Sequence, residues 1–130
     1  MKASDYVGTP YSNTGKTPKE GLDCFTLVVH ARKELYGMDT PSALHKLTTK
    51  VGGLREIKRQ QAMPEWKATK YPNPGDIVLM KTHPHKAWHH IGVLIEDDLV
   101  LHAIEPMTVI TDKRTLARRY CEWKYMTWVQ

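Results

Sequence analysis

Asp23-Cys24 opens the stretch DCFTLVVHARKELYG, and two histidines stand far downstream, His90 in HHIGVLI and His102 in LVLHAI. These residue types can do nucleophilic chemistry together. A thiol attacks a carbonyl, an imidazole takes its proton, and a further polar side chain orients that imidazole. A cysteine at a helix N-terminus lies where the backbone favours negative charge, so a thiolate is expected to form there easily. Each residue alone has a plainer reading: Cys24 as a core residue, His90 as a satisfied strand residue, His102 as the flank of a hairpin. The combination points to a cysteine nucleophile.

A helix must hold Cys24. Cys24, Leu27, Val28, Ala31 and Leu35 recur at helical spacing, with Thr26, His30 and Lys33 on the polar face. Asp23 is a natural N-cap and Gly37 a natural stop, so the helix is expected over about 24–36. A capping Asp23 carboxylate binds the amides beyond Cys24, which leaves the Cys24 N–H free as half of an oxyanion hole.

A hairpin must hold the histidines. DIVLM (76–80), HIGVLI (90–95), LVLHAI (99–104), MTVI (107–110) and CEWKYMTWV (121–129) read as strands. If Glu96-Asp97-Asp98 form the loop, Ile95 faces Leu99, Gly92 pairs with His102, and His90 is a diagonal neighbour on the same face. Diagonal neighbours lie roughly 7–8 Å apart, and a glycine between them leaves room for two rings. A two-residue loop would send His102 to the other face. The arrangement therefore depends on an odd loop length.

Elsewhere, 8–21 (GTPYSNTGKTPKEG) reads as a loop, 40–70 as a Lys/Arg-rich insertion with two short helices, and 112–120 as a short helix. Helices first and strands afterwards indicate an α+β domain with an antiparallel sheet, one domain over 1–130. Hydrophobic content of 41% and charged content of 25% are ordinary for a globular chain. The net charge of +5 suits an acidic partner such as a cell-wall polymer. No apolar run reaches transmembrane length, and no ordinary secretory signal is read at MKASDYVGTPY. Cys24 and Cys121 are expected as free thiols, as in a chain folded in a reducing cytoplasm.

HPHKAWHH (83–90) holds four histidines, but a Pro-containing loop running into a strand lacks the ligand spacing of a zinc site. No metal or other cofactor is expected, and Trp88 and His89 are expected to line a substrate cleft instead. LREIKRQ and DKRTLARR are basic without a nucleic-acid-binding motif, so they read as solvated faces and no nucleic acid is expected.

Four segments resemble, in order, those of the NlpC/P60 cysteine peptidases of bacterial cell walls: GTPY, GLDCFTLV, PGDIVLM and HHIGVLIEDDLVLHA. The resemblance implies a papain-like core with the Cys24 helix packed on the antiparallel sheet. It implies Cys24 as nucleophile, His90 as base, His102 as orienting residue and Tyr11 beside the substrate. Asp23 is grouped with Tyr11, Trp88 and His89 as substrate-binding. The family's usual reaction is hydrolysis of an amide in the peptidoglycan stem, often between D-glutamate and a diamino acid. After the cysteine this chain has Phe25-Thr26 where the family most often has Ser-Gly. The start at the catalytic domain resembles peptidases of phage tail modules, which implies tail or delivery-complex partners and a virion or cell-wall location. A structural tail module without turnover, or an amidase or acyltransferase with the same triad, are the alternatives.

Overall fold

The computed structural model describes residues 1–40, 66–86 and 88–128. Along the chain run α1 (Cys24–Tyr36), β1 (Trp66–Ala68), β2 (Ile77–Lys81), β3 (His90–Ile95), β4 (Leu99–Ala103), β5 (Thr108–Thr111), α2 (Lys113–Arg119) and β6 (Glu122–Trp128). The five strands and the short helix expected after residue 75 each lie within about one residue of the observed element. Most of the helical insertion expected at 40–70 lies outside the described residues. Its end is a correction, because Trp66–Ala68 is a strand, paired antiparallel with β6. No local pattern marks three residues as a strand; the partner strand does.

The sheet has the order β1-β6-β2-β3-β4-β5, with every neighbouring pair antiparallel. Period-2 alternation divides its side chains between two cores. Ile77, Leu79 and Ile91 pack against Phe25 and Val28 of α1, and Val93, Ile95 and Leu101 against Leu27 and Ala31. Val78, Met80, Leu94 and Val100 point the other way, onto Leu116 of α2 and Tyr120. The mixed architecture of a helix packed on an antiparallel sheet is the one expected.

Both ends of α1 follow from local chemistry. Asp23 Oδ1 accepts from the Phe25 and Thr26 amides at 3.0 and 2.8 Å, and Thr26 Oγ1 accepts from the Asp23 amide at 2.9 Å. This is a capping box with threonine as the returning arm. Gly37 ends the helix in the left-handed region at φ 63°. The two residues that depart from the family's Ser-Gly thus have structural work, Thr26 in the cap and Phe25, fully buried, in the core.

The loop between β3 and β4 has three residues, Glu96–Asp98, and Ile95 faces Leu99. That is the odd-length register on which the histidine argument depends. A Cβ added to Gly92 would lie 2.9 Å from Val100 Cγ1 and 3.0 Å from His102 Cβ. Only glycine fits there beside His102.

Candidate active site

The two histidines meet. His90 Nε2 lies 2.9 Å from His102 Nδ1, with ring centroids 5.1 Å apart and planes at 67°. His102 Nε2 lies 2.9 Å from Thr111 Oγ1 on β5. For His90 to act as a base through Nδ1, its proton must sit on Nε2 and be donated to His102 Nδ1. His102 then carries its own proton on Nε2 and donates it to Thr111. One tautomer assignment satisfies the whole chain.

On the flat side of His90 lies Tyr120, stacked with centroids 5.3 Å apart and planes 6° from parallel. Tyr120 is buried and follows directly after α2, which anchors it through its amide to Leu116 O at 2.9 Å. Between the hydrogen bond at its edge and the stacked ring on its face, the imidazole of His90 has little freedom to rotate. Thr111 and Tyr120 were missed by sequence reasoning. A threonine in a strand and a tyrosine after a helix carry no local sign of the histidines they meet.

Cys24 begins α1 where β3 begins. It is partly buried, packed against the core around Phe25 and Val28. Its N–H donates to no oxygen among the described residues, since Asp23 Oδ1 binds Phe25 and Thr26, and it is directed at the residue's own sulfur. The expectation of an easily formed thiolate needs correcting. Burial, and then the Asp23 charge, push the thiol up to about 12, against the pull of N–H groups from Ile91, Cys24 and Phe25. The helix N-terminus acts as expected, but desolvation of the sulfur is larger. His90 is held well below its ordinary 6.5, by burial first and then by His102, His89 and Arg119. His102 is lowered to about 4, by burial and then Arg119. Each of these shifts favours the neutral form, a thiol beside unprotonated imidazoles.

A cleft of about 260 Å³ opens beside these residues, lined by Tyr11, Thr82, His89, His90, Glu105 and Tyr120, with Arg119 at the same wall. Tyr11 arrives on a loop strapped to the turn before β5, through its amide to Pro106 O at 3.0 Å and Thr108 N–H to Thr9 O at 2.9 Å. Its hydroxyl is pushed up to about 12 by burial and then by Cys24, Asp23 and Glu105, so it stays a donor. His89 lines the cleft, its Nε2 accepting from the Thr82 amide at 3.0 Å.

Two residues expected on the substrate side lie elsewhere. Trp88 packs against the Phe25 core beneath the Lys81 ammonium, 4.7 Å from its ring centroid, rather than on the cleft. Asp23 is buried and does not line the cleft; its Oδ1 caps α1, while Oδ2 has no partner among the described residues. His83 and His85 face each other at 5.3 Å in the exposed loop. Among the described residues no three His, Cys, Asp or Glu side chains converge as metal ligands would.

The model of the NlpC/P60 family matches residues 8–129, and the chain belongs to that family. The gamma-DL-glutamyl hydrolase of Bacillus subtilis (strain 168) is 29% identical over 93 residues, covering 72% of this chain and 19% of that protein. The chain therefore spans about a fifth of the length of that curated relative. Among solved structures, the NlpC/p60 domain of the peptidoglycan hydrolase SagA superposes with a TM-score of 0.57 at 18% identity, over 95% of this chain and 91% of that one. A lipoprotein-like NLP/P60 family protein from Staphylococcus aureus Mu50 gives a TM-score of 0.57 at 17% identity, over 98% of this chain and 39% of the other. At such identities the shared feature is the fold.

Proposed function

We propose that this NlpC/P60 domain is a cysteine peptidase that hydrolyses an amide in the peptide stem of peptidoglycan, with Cys24 as nucleophile, His90 as base and His102 as orienting residue. The observation that carries the reading is the buried His90–His102 hydrogen bond, which accommodates the His90 tautomer with a free Nδ1 beside the strand residue whose N–H faces the Cys24 sulfur. A merely structural histidine pair does not require that alignment.

In this mechanism the resting pair is neutral. As the sulfur attacks the carbonyl, its proton passes to His90 Nδ1, so neither group bears an isolated buried charge. The imidazolium is held by its Nε2–H bond to His102. The Cys24 N–H and the protonated Tyr11 hydroxyl stabilise the oxyanion. His90 then gives its proton to the leaving nitrogen and takes one from water, and the hydroxide releases the acid from the sulfur, which recovers that proton from His90. The named activity of the Bacillus relative supports a γ-linked glutamyl amide as the scissile bond.

Purified muropeptides incubated with the wild type and with Cys24→Ala, followed by mass spectrometry, test the reading. New termini formed only by the wild type support it. Transfer to an added amine in place of hydrolysis would mark an acyltransferase. Phe25-Thr26, in place of the Ser-Gly most often found in the family, points to one second reading, a phage-tail or other delivery-complex module that keeps the fold without turnover. Absence of products, together with assembly that fails on disruption of this domain, would establish that module. Delivery by a virion to the cell wall is part of the proposal, tested by immunoblotting purified particles.

A further inference from the structure

The cleft carries two opposite charges that do not neutralise each other. Arg119, the last residue of α2, and Glu105, in the turn before β5, both line it, yet no salt bridge joins them. Glu105 acts electrostatically on Tyr11, at one side of the cleft. Arg119 lines the same cleft, its guanidinium carbon 5.9 Å from the Tyr120 ring centroid, and that ring is stacked on His90. Its charge reaches both histidines and the Tyr120 hydroxyl. Placing a cation beside a general base has a cost, because it disfavours the imidazolium that the base must become. A guanidinium is a rigid fork of donors suited to a carboxylate, and a bound carboxylate would cancel that penalty.

We propose that Arg119 is a specificity-determining residue of this cleft, recognising a carboxylate on a residue that flanks the scissile amide. The γ-linked glutamyl amide proposed above has such a carboxylate next to the amide that is cut, and Arg119 selects it over its carboxamide counterpart. Binding of that carboxylate neutralises Arg119 at the moment His90 gains its proton. Recognition and catalysis are thereby coupled beside Tyr120, whose ring both groups contact. The inference rests on the hydrolase reading of the same cleft for its substrate, but not for its first test.

That test compares alkylation of Cys24 by iodoacetate, an anion, and by iodoacetamide, its neutral counterpart, in a Cys121→Ser background followed by mass spectrometry. The ratio of the two rates cancels changes in the thiol itself. In Arg119→Gln the iodoacetate-to-iodoacetamide ratio should fall roughly three- to tenfold, the size expected of one partly solvated charge. Arg119→Lys should restore part of it. Arg114→Gln removes the same charge from the same helix but away from the cleft, and should leave the ratio as in the wild type. A ratio unchanged in Arg119→Gln, or lowered as much by Arg114→Gln, overturns the proposal. The second test uses peptide pairs that differ only in carboxylate or carboxamide beside the scissile bond, on either flank. An Arg119-dependent preference in one pair supports the assignment, and equal loss on both members overturns it. If no peptide is cut but the alkylation ratio shifts as expected, the hydrolase reading fails and the anion site stands.

Discussion

Nε2 of His90 and Nδ1 of His102 lie 2.9 Å apart, two buried imidazoles that meet because a three-residue loop sets the register of the hairpin between them. Residue Gly92 supplies the space, and Thr111 receives the far end of the chain at 2.9 Å from His102 Nε2. In the proposed mechanism His102 orients His90, and its acceptor atom matters more than its charge.

Substitutions at the triad should therefore differ in kind. Cys24→Ala should reduce amide hydrolysis to background, and His90→Ala should cost roughly 10³-fold or more. His102→Ala should cost roughly 10- to 100-fold, because a neutral histidine supports an imidazolium less than a carboxylate does. His102→Asn should recover much of that loss, since its side-chain oxygen can accept the His90 proton. Steady-state kinetics on one muropeptide would decide. Equal losses in His102→Ala and His102→Asn would count against the tautomer assignment.

Gly92→Ala should disturb both stability and catalysis. The added methyl would come within 3.0 Å of the Leu101 carbonyl oxygen and of His102 Cβ, and closer still to Val100. Overpacking of this kind costs about 1–3 kcal/mol. Urea denaturation should show a lower midpoint, and activity should fall further than the loss of folded protein explains.

Tyr120 is predicted to act through its ring. Tyr120→Phe keeps the stack on His90 and should keep most of the activity. Tyr120→Ala removes a buried ring and should destabilise by about 3–5 kcal/mol. Tyr120→Leu, which fills much of the same space without a flat face, should fold better than the alanine variant yet lower kcat with little change in KM. Full kcat in Tyr120→Leu would remove the positioning role.

Acid should unfold the protein by way of the histidines. His102, lowered to about 4, and His90, held well below 6.5, are neutral in the folded state, while in the unfolded chain both titrate near 6.5. Below 6.5 the unfolded state binds more protons, so the stabilisation is complete above that pH and is lost as pH falls from about 6.5 toward 4. The slope should approach about 2–3 kcal/mol per pH unit for two such groups. Urea midpoints at pH 7.5, 5.5 and 4.5 measure it (the pH values being roughly spaced across the window). His102→Asn should flatten the slope.

The Cys24 thiol, pushed up to about 12, should label slowly with iodoacetamide at mildly acidic pH and faster as pH rises through 8 and above, roughly tenfold per unit. A plateau already reached at about pH 6 would mean that a thiolate–imidazolium pair forms in the resting protein.

Much of this molecule is readable from local sequence. Asp23 and Gly37 bracket α1 because capping and a left-handed stop depend only on a few adjacent atoms. The alternation of HIGVLI and LVLHA assigns His90 and His102 to one face, and counting Glu96, Asp97 and Asp98 decides whether they meet. Other features depend on residues far apart in the chain. Neither Thr111 nor Tyr120 signals the histidine it meets, because strand pairing brings the first to His102 and the fold of α2 brings the second to His90. Trp66–Ala68 is a strand because β6 accepts it, and Trp88 turns to the Phe25 core although it adjoins the cleft-lining His89. The largest difference lies at Cys24. A helix N-terminus favours a thiolate, and the sequence by itself determined that much. The packing of α1 against β3 decides the rest: it partly buries this thiol, and desolvation there pushes it up against the pull of the backbone N–H groups.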